Sequence, residues 1–158
     1  MVKINYLKLI ASILICQLAG FIGSFFTASS VSTWFQTLNK PFFNPPSWLF
    51  APVWISLYLL MGISLYIVWN KGVKSKETKT AVTLFGVQLA LNTLWSILFF
   101  GLKSPLFAFI EIMILWAMIV LTIRCFCRIS KTAAYLLVPY IIWVTFAAAL
   151  NFAIYFLN

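Results

Sequence analysis

The sequence predicts an all-α membrane protein, folded as a bundle of five transmembrane helices. Of its 158 residues, 64% are hydrophobic and 8% are charged, and the mean hydropathy is +1.06. Soluble domains carry about 25% charged residues, so no water-soluble fold hides this much apolar surface. Five apolar segments reach the roughly 20 residues that cross a bilayer. They lie at about 7–26, 47–69, 80–100, 105–123 and 133–156, and we expect one membrane domain over residues 1–158.

The first segment begins like a secretory signal, because Lys3 and Lys8 precede an apolar run. That run extends from Leu9 to Phe26, which is longer than the roughly 7–15 residues of a signal-peptide core. No pair of small residues suitable for cleavage follows it. We therefore expect a first helix that is retained in the membrane.

Small residues spaced four apart occur in the first and third segments, and such pairs let helices approach closely. They serve either packing within one bundle or contact between two copies, and we expect a homodimer. The pairs are Ala19 with Gly23, Gly20 with Ser24, and Gly86 with Ala90.

A proline-rich loop over residues 27–46, called the lid, connects the first two segments. Each proline fixes its own φ, removes a backbone donor and disfavours helix at the residue before it. We therefore expect a stiff, non-helical cap over Lys40–Pro46, with Pro46 or Pro52 in the first turn of the next helix. An aromatic, stiff cover joined to a membrane helix predicts a binding site at one membrane face.

Aromatic, amide and small side chains share helical faces in three segments. Amides at membrane depth are costly unless they are satisfied, so they either bond between helices or line a cavity. Three such faces beneath an aromatic lid predict a ligand cavity with aromatic walls and a few polar anchors. The faces comprise Trp54, Tyr58, Gly62 and Leu65; Gln88, Asn92, Trp95, Ser96 and Phe99; and Pro139, Trp143, Ala147 and Asn151.

Glu111 is the only acidic residue inside a predicted span. We expect it to reach toward the nearer membrane face and pair with Lys103 or Lys40, with a proton relay as the alternative. The chain has no histidine, which removes the usual general base and the commonest zinc and haem ligand. No conventional catalytic group and no metal site is predicted, and enzymatic activity is left open.

Basic residues are concentrated at the end of the bundle that holds the N-terminus, while the opposite end has only Lys40 and Lys103. Since basic residues flanking spans favour the cytoplasm, we predict a cytoplasmic N-terminus and an external C-terminus and lid. This pattern accounts for the net charge of +9 without a nucleic-acid partner. The expected partner of the basic residues is membrane lipid. The nine residues are Lys3, Lys8, Lys71, Lys74, Lys76, Lys79, Arg124, Arg128 and Lys131.

The chain resembles the tryptophan-rich sensory protein and translocator protein (TspO) family at family-like spacing over nearly its whole length. The run of Asn44, Pro45 and Pro46, then Pro52, Val53 and Trp54, then Leu57 and Tyr58, then Met61 and Gly62 is the most specific part. The other matching positions are Trp34, Leu38, Lys40, Pro41, Trp48, Phe50, Trp69, Leu91, Asn92, Trp95, Ser96, Leu98, Phe99, Phe100, Trp116, Thr122, Pro139, Tyr140, Trp143, Phe146, Ala147, Leu150 and Asn151.

This resemblance implies a five-helix bundle, often dimeric, that binds porphyrins such as protoporphyrin IX and haem as ligand or substrate, without an obligatory cofactor. Trp54 and Trp143 match a tryptophan pair implicated in light- and oxygen-dependent porphyrin breakdown. The implied ligand-binding residues are Trp34, Phe35, Asn44, Pro45, Trp54, Tyr58, Gln88, Asn92, Trp95, Trp143, Ala147 and Asn151.

Several positions depart from the family pattern. Phe43 stands where a tryptophan is common, and Phe35 stands where a tyrosine is usual, which removes a hydroxyl donor. Sterol-binding members carry a basic residue after a C-terminal tyrosine, but none follows Tyr155, so a sterol is the less favoured partner and a bacterial cytoplasmic membrane is the expected location. The main hypothesis is a porphyrin receptor or sensor, and the alternative is a transporter of tetrapyrroles, sterols or lipids.

Overall fold

The computed structural model describes residues 4–158, and this part of the chain forms helices without strands. Lys3, which contributed to the predicted topology, lies outside the described residues. Within residues 4–158, five helical segments are long and apolar enough to cross a membrane, as predicted. These are the first to fifth spans: Tyr6–Val31, Ser47–Asn70, Lys76–Gly101, Pro105–Ile129 and Lys131–Leu157. The protein is therefore an integral membrane protein.

In residues 4–158, six α-helices build these spans and a seventh, short helix lies in the lid. Two spans change helix type along their length. The second span opens with a 3₁₀ turn, Ser47–Leu49, and the third ends in a π-helical turn, Ile97–Gly101. The fifth is interrupted at Leu137, one residue before the helix that contains Pro139, because proline cannot donate a helical hydrogen bond. The helices are α1 Tyr6–Val31, α2 Trp34–Thr37, α3 Phe50–Asn70, α4 Lys76–Ser96, α5 Pro105–Ile129, α6 Lys131–Leu136 and α7 Val138–Leu157.

Polar side chains determine where several helices begin. The side chain of Asn5 accepts a hydrogen bond at the start of α1, and those of Ser75, Ser104 and Ser130 do so at the starts of α4, α5 and α6. Such caps satisfy backbone N–H groups that have no helical partner. The predicted spans 105–123 and 133–156 left residues 124–132 as a connector, which is wrong: Ser130 alone separates α5 from α6, and the other residues of this stretch continue the two helices.

The lid is more helical than predicted at its start. Helix α1 continues through residues 27–31, and α2 forms a further helical turn. The segment Lys40–Pro46 contains no helix, as the prolines predicted, and Pro46 caps the 3₁₀ turn that opens the second span. Within this added stretch the hydroxyls of Ser29 and Thr33 donate to backbone carbonyls of α1 one turn earlier, so these polar side chains are satisfied inside the helix.

The spans pack in a closed ring in which the first contacts the second and third, the third contacts the fourth, and the fourth contacts the fifth. The second span completes the ring by contacting the fifth, mainly through α6. The lid joins the first two spans, short connections join the others, and consecutive spans run antiparallel. This order brings the second, third, fourth and fifth spans around one interior, which is where the predicted site faces must meet.

Glycines on the first and second spans make their contact unusually close. A Cβ at Gly62 would lie 2.7 Å from Cα of Ile13, and a Cβ at Gly20 would clash with the ring of Tyr58. Gly23 lies against Ser96 of the third span. The small residues of the first span therefore serve packing within one bundle, whereas a Cβ at Gly86 would meet no atom within 4 Å.

The lid is fastened across one end of the bundle, the lid end. The backbone N–H of Asn39 donates to Oδ1 of Asn158 at 2.9 Å, and Nδ2 of Asn158 donates to the carbonyl of Asn39 at 3.0 Å. Beneath it, Phe35 is 3% exposed and its ring packs against Phe99 and Phe100. The lid is thus joined to the third span by aromatic packing and to the fifth by hydrogen bonds.

Candidate functional site

The predicted faces of the second, third and fifth spans meet at an interior cavity. The fourth span completes its wall, which the sequence analysis did not predict. Its volume is about 10 Å³, which is room for about one water molecule, whereas ligand pockets measure roughly 300–1,000 Å³. The lining residues are Trp54, Asn92, Trp95, Ile112, Leu115, Val144 and Ala147.

Aromatic rings fill most of the space around this cavity. Trp54 stacks on Tyr58 with 5.5 Å between ring centroids and meets the edge of Tyr140 at 6.4 Å. Trp95 stacks on Phe99 at 5.1 Å. The rings converge on the interior as predicted, but they close on one another, so a flat ligand enters only if the rings separate.

Trp143 lies beside the cavity rather than in its wall. Its ring packs against Phe50 at 6.2 Å and against Phe146 at 5.4 Å, between the second span and the lid end of the fifth. The indole N–H of Trp143 is buried without a hydrogen-bond partner. Trp143 therefore keeps a free donor, while Trp54 lines the cavity from the neighbouring second span.

Four polar side chains form a buried chain of hydrogen bonds across the interior. The hydroxyl of Tyr58 donates to Oδ1 of Asn92, and Nδ2 of Asn92 donates to the hydroxyl of Tyr140 at 2.9 Å. That hydroxyl in turn donates to Oε1 of Gln88 at 2.8 Å. This polar network links the second, third and fifth spans, and only the Nε2 group of Gln88 is left without a partner.

A second pair of bonds ties the third, fifth and fourth spans together nearer the lid. The indole N–H of Trp95 donates to Oδ1 of Asn151 at 3.0 Å, and Nδ2 of Asn151 donates to the carbonyl of Pro105 at 2.8 Å. Asn151 is therefore committed to neighbouring helices. The bundle uses its amides for bonds between helices, and Asn92 also borders the cavity.

The lid residues implied by the resemblance lie above the cavity and outside its wall. The ring of Trp34 meets Phe99 at 5.6 Å, and Phe35 packs beside it on the same aromatic layer. Asn44 donates to the carbonyl of Pro45 at 3.1 Å, and its buried Oδ1 has no partner. These residues cover the site, so they contact a ligand only when it extends to the lid.

The predicted ion pair of Glu111 is not formed. Glu111 is 5% exposed, and neither carboxylate oxygen has a hydrogen-bond partner within the described part of the chain. The ammonium group of Lys40 instead lies over the ring of Phe35, 4.9 Å from its centre. Glu111 lies on the side of its helix that packs against the bundle interior. The prediction that its side chain reaches the nearer membrane surface is therefore wrong. In residues 4–158, no three metal-ligating side chains lie close enough to share an ion.

Sequence reasoning misplaced the start of the buried face of the fifth span, whereas Ala147 lines the cavity and Asn151 is buried as predicted. Pro139 is exposed, while Tyr140 is 1% exposed and Val144 faces the cavity. The four-residue spacing of Tyr140, Val144 and Ala148 would have indicated this face, but Tyr140 was assigned no role. Gly62, predicted to face the site, packs against the first span instead.

Comparison with known proteins places the whole bundle in one family. The family model described as TspO/MBR family matches residues 12–157. The tryptophan-rich protein TspO of Archaeoglobus fulgidus is 53% identical over 154 residues, covering 98% of this chain and 99% of that protein. The TspO of Chlorobaculum tepidum is 49% identical, covering 91% of each, and the translocator protein of Bos taurus is 37% identical, covering 88% and 83%. The chain belongs to the TspO/MBR family.

Proposed function

We propose that this protein is a membrane receptor or sensor that binds a porphyrin, such as protoporphyrin IX or haem, between the second, third and fifth spans beneath the lid. The observation that carries the proposal is the convergence of Trp54, Trp95 and Ala147 from three spans on one cavity. Indole faces suit a flat ring system, and the small side chain of Ala147 leaves room for it. A sensory role is also in the name of a relative, the tryptophan-rich sensory protein of Cereibacter sphaeroides, which is 38% identical over 125 residues.

Binding requires the interior to open, because the cavity holds about one water molecule. The third span offers a place for this movement, since its π-helical turn, Ile97–Gly101, lies directly under the lid. Such turns are frequent at functional sites. In the proposed open state, Trp95 moves with this turn while the polar network continues to join the second, third and fifth spans.

Titration with protoporphyrin IX tests this proposal through tryptophan fluorescence. Binding quenches the indoles, and Trp54→Phe weakens binding by a few-fold to about tenfold, because one ring-stacking contact is reduced. Trp48→Phe is the matched control, since Trp48 is 73% exposed and lies outside the cavity. Absence of quenching at micromolar porphyrin, or equal effects of the two variants, contradicts the proposal.

We extend the proposal to porphyrin breakdown, and illumination of the porphyrin-bound protein in air tests it. An excited porphyrin beside Trp54 and Trp143, with dioxygen as the oxidant, is expected to lose its absorption spectrum in light and air, and not in either alone. The Trp54→Phe and Trp143→Phe variants are expected to slow this loss. A spectrum that decays equally with and without the two indoles assigns the reaction to the pigment and not to the protein.

Transport of tetrapyrroles, sterols or lipids is the alternative function, and its support is the name translocator protein carried by mammalian relatives. We further propose that the protein lies in a bacterial cytoplasmic membrane with the N-terminus in the cytoplasm. A homodimer also remains a prediction, and the exposed face around Gly86 and Ala90 is its proposed interface.

A further inference from the structure

A second, larger space lies at the lid end, between the lid, the turn that joins the third and fourth spans, and the end of the fifth span. This outer groove has a volume of about 350 Å³, within the range of ligand sites. It shares no lining residue with the interior cavity. Its walls are Trp34, Leu38, Lys103, Ser104, Pro105, Leu106, Tyr155 and Asn158.

The charges around the outer groove favour an anion. Lys103 is the only charged side chain in its wall, and no acidic side chain lines it. Helix α5 begins beside it at Pro105, so the positive end of a 25-residue helix opens at the same place. Lys103 has a φ of 53°, which turns the chain sharply between the third and fourth spans and brings the lysine next to this helix start.

The remainder of the wall is apolar and continues into the surface that faces lipid. Leu106 and Tyr155 line the groove and are 41% and 42% exposed. One turn further along each helix, Ile110 and Phe152 are half exposed, so both faces extend the apolar surface toward the middle of the membrane. Trp34 and Tyr155 add two amphipathic rings to the wall, and tryptophan and tyrosine are enriched where headgroups meet hydrocarbon.

We propose that the outer groove binds an anionic phospholipid. Its phosphate lies against Lys103 and the start of α5, and its acyl chains lie along Leu106, Ile110 and Phe152. An occupant of this position in a membrane must have a charged head and a hydrocarbon body, and the charge of Lys103 selects an anionic one. Since Trp34 and Leu38 belong to the lid, the bound lipid also supports the lid from its side.

The test is native mass spectrometry of the delipidated, full-length protein in detergent, titrated with phosphatidylglycerol or with phosphatidylcholine of identical chains. Lys103→Gln is expected to weaken phosphatidylglycerol binding about fivefold, the value for one basic residue near an anionic lipid, and to affect phosphatidylcholine less. Lys103→Arg is expected to retain binding. Lys74→Gln is the matched control, because Lys74 is an exposed lysine at the opposite end of the bundle.

Further arms separate the lipid from other occupants. Leu106→Trp fills the groove without changing its charge and is expected to reduce binding of both lipids. The proposal is overturned if Lys103→Gln binds phosphatidylglycerol as the unmodified protein does, or if Lys74→Gln loses as much affinity. It is also overturned if glycerol phosphate, which has no chains, competes as well as the lipid, or if protoporphyrin IX displaces the lipid from the groove.

Discussion

Asn92 shows how one side chain both holds the bundle together and borders its cavity. Its two amide atoms bond the hydroxyls of Tyr58 and Tyr140, so it joins the second and fifth spans through the third. Its remaining surface lines the small cavity beside Trp54. An amide buried at this depth is costly unless both of its ends are paired, and here both are.

Removing the hydroxyl of Tyr140 tests the value of this network. Tyr140→Phe leaves Oε1 of Gln88 and Nδ2 of Asn92 without their partner, and a buried unpaired polar group costs about 1–3 kcal/mol. We expect the free energy of unfolding in detergent to fall by that amount. Tyr155→Phe is the matched control, because Tyr155 is 42% exposed, whereas Tyr140 is buried, and the loss of its hydroxyl should change stability little. Equal stability of the two variants contradicts a structural role for the network.

At the scale of single helices, glycine determines how closely the first and second spans approach. Gly62 lies against the backbone of Ile13, where no side chain can move aside, whereas Gly86 of the third span faces open space. The same residue type therefore has opposite roles on two helices. The small-residue spacing identified both positions, but it did not show which one is a buried contact.

Alanine substitutions separate these roles. Gly62→Ala places a Cβ 2.7 Å from Cα of Ile13, and we expect a loss of about 1–3 kcal/mol in the free energy of unfolding from this overpacking. Gly86→Ala gains helix propensity and meets no atom of its own bundle, so for the monomer in detergent we expect it to be neutral or to stabilise by up to about 1 kcal/mol. Denaturant unfolding monitored by helical circular dichroism measures both. A Gly62→Ala protein as stable as Gly86→Ala would contradict the close approach of the two spans.

At the scale of the whole molecule, the structure gathers the basic residues at one end. Lys8 donates to the carbonyl of Trp69 at 3.5 Å, and Lys71 donates to the carbonyl of Ile129, so the ends of the first, second and fourth spans meet there. Lys40 and Lys103 lie at the lid end. The charge asymmetry between the two ends of the bundle follows the positive-inside pattern.

The predicted orientation is checked with reporters joined after Asn158. Alkaline phosphatase, which is active only outside the cytoplasm, is expected to be active there, and a green fluorescent protein that folds only inside is expected to be dark. The control position is Gly72, in the connector at the basic end of the bundle, where the opposite pattern is expected. Fluorescence after Asn158 would place the lid in the cytoplasm and reverse the predicted orientation.

Hydropathy alone was enough to predict the five spans and their antiparallel order, because apolar length decides what crosses a membrane. The rotation of each helix was not predictable to the same degree. Pro139 was assigned to the buried face in place of Tyr140, since the helix break at Leu137 changes which residues face inward. The partners of Gln88 and Asn92 depend on that rotation, so periodicity left open whether they bond or line a pocket. The size of the cavity depends on how tightly the aromatic rings pack against one another, and the spacing of residues along the sequence does not show this.

The paired hydrogen bonds between Asn39 and Asn158 have a practical consequence for work with this protein. A purification tag or fluorophore attached after Asn158 would lie against the hydrogen bonds that hold the lid to the fifth span. Affinities measured on such a fusion would be those of a protein whose lid is less firmly held. Immobilising the protein through Asn158 would obstruct ligand access to both the interior cavity and the outer groove. Attachment before Asn5, at the opposite end of the bundle, leaves that approach clear.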